Sequence, residues 1–196
     1  MKNRCCVIGA GKWGKNHIKT AYQLGILGAV IDSNEEAIRI IKDTYPDLNV
    51  YRSLDDEGAL DYESYVVAVP AEYHYKVTKT LLNTGKHVLV EKPITLYVDQ
   101  AKDLVRIANK NSLTLMTGHL LLFHPAIRKI KELIQSGKLG KLQYMYSNRL
   151  NLGTVRTEEN SLWSFAPHDI SIMNYFTEGA PNEVNSDGGA FLQSHV

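Results

Sequence analysis

The amino-acid sequence predicts an α/β protein, a doubly wound parallel sheet followed by an incomplete α+β unit, on three observations. Short apolar runs alternate with amphipathic helical segments through the first 117 residues. The loops between them are short, and parallel neighbours need a crossover connection. After Gly118 the pattern changes, so a second domain is expected over 118–196. With 196 residues, 44% hydrophobic and 22% charged, the chain has room for one large domain, or for one domain and part of another. A net charge of +1 gives no basic field for nucleic acid. Apolar runs such as Leu120-Leu121-Leu122-Phe123 are far too short to span a bilayer, and the first residues lack a signal-peptide core. A cytoplasmic location without membrane partners is therefore expected.

Each element has a local reason. Cys5-Cys6-Val7-Ile8 is an apolar run suited to a buried strand, and Gly14 opens a helix. The two cysteines are the only ones in the chain and point to opposite strand faces, so they read as small buried hydrophobes rather than a disulfide or a metal pair. Gly28-Ala29-Val30-Ile31 is the second strand. Ser33 and Glu36 have the spacing of a capping box, and Ile38, Ile41 and Tyr45 follow at helical intervals up to Pro46. Val50-Tyr51 suits a short strand, Ser53 can cap a helical turn, and Tyr65 to Val69 is a buried strand closed by Pro70. A helix from about His74 to Asn83 turns Val77, Leu81 and Leu82 inward and stops at Gly85. His87 to Val90 is a strand. Beyond Thr95, Val98, Ala101, Leu104, Val105 and Ala108 mark a longer helix, and Leu113 to Met116 is the last strand of a domain running to residue 117. In the second domain, Pro125 starts a helix carrying Ile127, Ile130, Leu133 and Ile134. Leu142 to Leu152 alternates as a strand, Pro167 opens a helix with Ile170, Met173 and Phe176, and the segment after Pro181 suits one more strand. Two strands make a poor sheet, so this unit is expected to be incomplete, compact, or completed by a partner chain in a homo-oligomer.

The segment Gly9-Ala10-Gly11-Lys12-Trp13-Gly14 joins the first strand to the first helix, and the second strand ends in Asp32. Gly9 permits the tight turn, Gly11 lets the backbone approach a pyrophosphate, and Gly14 lets the helix pack against the strand. Exposed N–H groups and the helix dipole attract the phosphates. Asp32 suits both ribose hydroxyls and repels a 2′-phosphate, which favours NAD over NADP. Other polar residues also fall at strand ends, where ligands of doubly wound sheets bind: Pro70, Glu91-Lys92-Pro93 and Thr117-Gly118-His119. Lys92, held between a strand and a proline, can project over a nicotinamide; by spacing alone it can also be a solvated loop lysine. No pair among His74, His119 and His124 has metal spacing, and no metal is expected.

These residues resemble a known family. The glycine fingerprint, Val69-Pro70-x3-His74, Gly85-Lys86-His87-Val88-Leu89-Val90-Glu91-Lys92-Pro93 and a downstream histidine are similar to the glucose–fructose oxidoreductase/inositol dehydrogenase family, over essentially the whole chain. Asn148-Arg149-Leu150-Asn151-Leu152-Gly153 and Trp163-Ser164-Phe165-Ala166-Pro167-His168-Asp169-Ile170 resemble its members that oxidise the sugar C3 of UDP-N-acetylglucosamine or its uronate. The resemblance implies a Rossmann-like domain, NAD, a nucleotide-sugar substrate and a route to surface polysaccharide. It implies cofactor contacts from Gly9, Gly11, Lys12, Trp13, Gly14, Asp32, Pro70, His74, Glu91 and Lys92. Lys92 would bind the reacting hydroxyl and His168 would take its proton. Pro167 would place His168 in a first helical turn, where the dipole favours neutral imidazole; a buried core histidine is the other reading. Asp169 reads as an N-terminal helix acid, and His74 either lines the nicotinamide pocket or begins its helix. Asn148, Arg149 and Arg156 are the candidates for the sugar nucleotide; a guanidinium fork suits phosphate or carboxylate, and an exposed strand arginine is the alternative. Many members place an Asp four residues before the histidine, where this chain has Ser164, and members run longer than Val196. Other sugars or polyols, or a non-catalytic NAD-binding role, are the rival readings.

Overall fold

The computed structural model describes residues 5–150 and 161–189 and divides into two compact units, residues 1–118 and 119–196. Unit 1 runs β1 (Cys5–Ile8), α1 (Gly14–Gln23), β2 (Leu27–Ile31), α2 (Glu35–Thr44), β3 (Asn49–Tyr51), β4 (Ser64–Val67), α3 (Ala71–Asn83), β5 (His87–Val90), α4 (Val98–Lys110) and β6 (Leu115–Thr117). The strands form one parallel sheet in the order β3-β2-β1-β4-β5-β6. Strand order reverses between β1 and β4, which opens a crevice at their carboxyl ends.

Parallel strands covered on both faces are apolar along their whole length, because neither side meets water. All four residues of β1 are buried. Cys6 and Ile8 pack with Tyr65, Val67, Leu81, Val90 and Leu104 on one face, while Val7 packs with Ile18, Val30 and Ile41 on the other. Each fully buried aliphatic side chain of this kind contributes about 1.5–3 kcal/mol relative to leaving it exposed. The cysteines are both free and buried, and burial pushes both thiols above their ordinary range.

Several local expectations need correction. Helix α2 is capped by Asn34, whose side chain accepts from the Ala37 N–H at 2.9 Å, rather than by Ser33. The Asp32 carboxylate takes the Asn34 N–H at 2.8 Å, which delays helix entry by one residue. Around Ser53 the chain makes turns, as expected: the Ser53 hydroxyl accepts from the Asp55 N–H at 3.0 Å, and the Asp56 carboxylate ties the backbone N–H groups of Arg52 and Ser53. In α4 the buried stripe is Leu104, Ile107 and Ala108, while Val98 and Val105 are exposed.

Unit 2 contains a 3₁₀ turn (Leu120–Phe123), α5 (Pro125–Gln135) and α6 (Ser161–Thr177). Pro125 occupies the first helical turn as expected, and the His124 ring accepts from the Ala126 N–H. The expected strand at 142–152 does not form over residues 142–150, nor does one form over 182–189. Extended backbone needs a hydrogen-bonded neighbour, and the described residues of this unit offer none. Helix α6 begins at Ser161, so Pro167 lies inside it instead of opening it. Proline's fixed φ is helical; what it lacks is an N–H for the carbonyl four residues earlier. His168 therefore sits well within the helix, and the first-turn dipole argument for its neutrality does not apply.

Candidate active site

Strand β1 delivers the chain into the glycine turn at the switch point. Gly9 adopts φ +95°, and a Cβ there would lie 2.6 Å from the Ala68 carbonyl oxygen. At Gly14 a Cβ would meet the Gly9 carbonyl oxygen at 1.8 Å, so helix and turn touch through bare backbone. Gly11 differs: nothing lies within 4 Å of its Cβ position. Two glycines are thus consumed by packing and the middle one leaves an open face. Helix α1 starts at this face with no side-chain cap on Trp13 and no acidic residue in its first turn, leaving its N-terminal dipole for an anion. Lys12 and Trp13 are exposed beside it. An open concavity of backbone, backed by a helix N-terminus, fits the diphosphate of a dinucleotide.

Asp32 follows β2 and closes the other side of the turn. One carboxylate oxygen accepts from the Ala10 N–H at 2.6 Å and the other from the Asn34 N–H at 2.8 Å. Charge-assisted bonds of this length hold the carboxylate in place, and each oxygen keeps lone-pair capacity for a ribose hydroxyl.

The Glu91-Lys92-Pro93 turn leaves β5, with a cis Lys92–Pro93 bond. Glu91 is buried and accepts from the Lys92 backbone N–H at 3.2 Å. Its other oxygen lies 2.7 Å from Nε2 of His17, which projects from the first turn of α1. Burial works against the Glu91 charge, yet the hydrogen bond and charge of His17, with smaller help from Lys92, hold its carboxyl below the usual range. Gly118 completes the enclosure, since a Cβ there would come within 3.0 Å of the carboxylate. His17 was missed in the sequence; the available signal was a polar side chain three residues beyond Gly14, on the turn of α1 nearest the strand ends.

His74 is the fourth residue of α3 and is 1% exposed. Its Nδ1 lies 2.7 Å from the Pro93 carbonyl oxygen and its Nε2 2.8 Å from that of Val69. From the first turn of α3 the ring thus faces two backbone carbonyls, one on each neighbouring turn. Pro70 is the exposed N-cap of the same helix. In unit 2, the Arg149 guanidinium grips Asp169 through Nε at 2.5 Å and a terminal nitrogen at 3.2 Å, and the Ser147 hydroxyl donates to the same carboxylate. Burial opposes the Asp169 charge, but Arg149 and Ser147 outweigh it and lower the carboxyl. Asp169 is therefore an ion-pair partner inside α6, not an N-terminal helix acid. Asn148 is exposed next to Arg149, and Arg156 lies outside the described residues. No group of three metal-ligating side chains occurs among the described residues.

A family model described as "Oxidoreductase family, NAD-binding Rossmann fold", that of the glucose–fructose oxidoreductase/inositol dehydrogenase family, matches residues 3–119. The chain belongs to this family. It is 28% identical over 189 residues to the UDP-N-acetylglucosamine 3-dehydrogenase of Acidithiobacillus ferrooxidans, covering 95% of this chain and 58% of that protein. It is 24% identical to the uncharacterised oxidoreductase YrbE of Bacillus subtilis, with 95% and 57% coverage. Among solved structures, the WlbA dehydrogenase from Bordetella pertussis in complex with NADH and UDP-GlcNAcA superposes with a TM-score of 0.65 at 25% identity, over 71% of this chain and 44% of that one. The chain thus spans less than two thirds of these relatives' length. Its cofactor is NAD.

Proposed function

We propose that this chain is an NAD-dependent dehydrogenase acting on the C3 hydroxyl of a UDP-N-acetylglucosamine-type sugar, the uronate by preference, for acetamido-sugar units of surface polysaccharide. The observation that carries the reading is a buried, hydrogen-bonded turn that fixes Lys92 at the end of β5, in the sheet that also carries the dinucleotide cradle. The similarity to a UDP-N-acetylglucosamine 3-dehydrogenase along 95% of the chain supports the substrate class. NAD, when bound, supplies the hydride acceptor. The sugar alcohol loses a hydride from C3 and a proton from its oxygen, and becomes a ketone. Lys92 donates a hydrogen bond to that oxygen and stabilises negative charge as it develops, and His168 accepts the proton. Asn148, Arg149 and Arg156 are assigned to the sugar nucleotide. Two of Arg149's five N–H groups face Asp169, so its fork is oriented before any phosphate or carboxylate arrives.

Mixing the chain with NAD and UDP-N-acetylglucosaminuronate should produce NADH absorbance, and Lys92→Ala should abolish it. Equal turnover by the variant would remove the mechanism. A second reading, oxidation of another sugar or polyol, is favoured by the 26% identity to a D-xylose 1-dehydrogenase of Haloarcula marismortui. A panel of free sugars, inositols and UDP-sugars separates the two.

A further inference from the structure

We propose that His17 is a positioning residue for Lys92: through Glu91 it locks the lysine's backbone to the helix that carries the dinucleotide phosphates. The inference rests on the catalytic assignment of Lys92 made above. His17 stands in the first turn of α1, beside the glycine turn, and meets Glu91 Oε1 at 2.7 Å. Glu91 Oε2 takes the Lys92 N–H at 3.2 Å. Gly118, beyond β6, packs closely on this carboxylate: a Cβ there would lie 3.0 Å from it. On the far side of the lysine, His74 holds the Pro93 carbonyl oxygen at 2.7 Å. The turn is thus held on both sides of Lys92: the Lys92 N–H by the Glu91 carboxylate that His17 of α1 braces, and the Pro93 carbonyl by His74 of α3.

Stability alone does not account for this arrangement. A buried carboxylate paired with an imidazole loses hydration that an apolar pair of equal volume never had, and such pairs are weak sources of folding energy. What the pair supplies is a fixed distance. A lysine has four rotatable side-chain bonds, so its ammonium is placed only as well as its backbone is held. A displacement of about 1 Å at a reacting group costs about 100-fold in rate. The same helix turn that meets the diphosphate therefore also sets where the lysine stands, which makes cofactor and amine parts of one rigid frame.

The test compares His17→Asn with His17→Gln. The Gln amide reaches the position of the imidazole Nε2, whereas the Asn amide stops near Nδ1. Amide hydrogen exchange of Glu91 and Lys92, without NAD or sugar, is read beside kcat and KM. His17→Asn should speed exchange of the Lys92 N–H at least about tenfold, leave the β1 and β4 amides protected, and lower kcat about 100-fold with the sugar KM within about threefold. His17→Gln should restore most of both. Unchanged Lys92 exchange in His17→Asn would overturn the proposal, as would a kcat loss that His17→Gln fails to recover. If the native chain oxidises no sugar, the catalytic reading fails while the exchange result still decides the brace. If the Asn variant does not fold, Glu91→Gln takes its place, with faster Lys92 exchange expected and unaltered exchange contradicting the proposal.

Discussion

Replacing Gly14 with alanine should cost stability, whereas replacing Gly11 should cost only cofactor affinity. In Gly14→Ala the new methyl carbon would start 1.8 Å from the Gly9 carbonyl oxygen, while ordinary contacts begin at 3.4 Å. Both partners are backbone, so no flexible side chain can yield and the helix must move off the turn. Overpacking of this severity costs about 3 kcal/mol, the upper end of its usual range. Alanine's better helix propensity returns about 0.5–1 kcal/mol. The net loss is about 2 kcal/mol, which for a domain of this size lowers Tm by roughly 8 °C. Gly11→Ala meets open space, so its Tm should stay within about 1 °C of the parent, while the methyl occupies the face reserved for the diphosphate and raises the NAD Kd about 10- to 100-fold. Differential scanning calorimetry and an NADH fluorescence titration on the two variants read both quantities. A Gly14→Ala protein as stable as the parent, or a Gly11→Ala protein that binds NAD undiminished, would refute the reasoning.

Three further outcomes are expected. Asp32→Ala removes the acceptor of two backbone N–H groups and the proposed ribose partner, so it should weaken NAD at least about tenfold and leave NAD and NADP bound alike, measured by parallel titrations. Glu91 has a lowered carboxyl in the folded chain, so it stabilises the fold above its unfolded value of 4.5 and that contribution is lost as pH falls below it. Glu91→Gln should therefore flatten the acid limb of the Tm against pH curve, and an unaltered limb would contradict the assignment. Cys5 and Cys6, buried with raised thiols, should resist a thiol reagent at pH 8 until denaturant is added; rapid labelling of the native chain would show that β1 is not the central strand of the sheet.

Much of the first unit was legible in the sequence because its physics is local. The buried strands are continuous apolar runs, and the glycine turn, Asp32 and the Glu91-Lys92-Pro93 turn each announce themselves by residue type at a strand end. What escaped depends on contacts between distant residues. The partnership of His17 with Glu91 joins α1 to β5, and nothing in the spacing of either residue encodes it. The approach of His74 to the Pro93 carbonyl likewise joins α3 to the turn after β5. In the second unit, Pro167 was misread because a proline is helical in its own φ and breaks only one bond; whether it opens a helix depends on what precedes it. The alternating pattern after Leu142 failed for a related reason, since alternation makes a strand only where another strand is present to pair with.

The central claim is hydride transfer from C3 of the sugar. UDP-N-acetylglucosaminuronate carrying deuterium at C3 should pass that label to the nicotinamide, giving singly deuterated NADH by mass spectrometry. Unlabelled NADH from this substrate, or deuterium retained in the oxidised sugar, would contradict it.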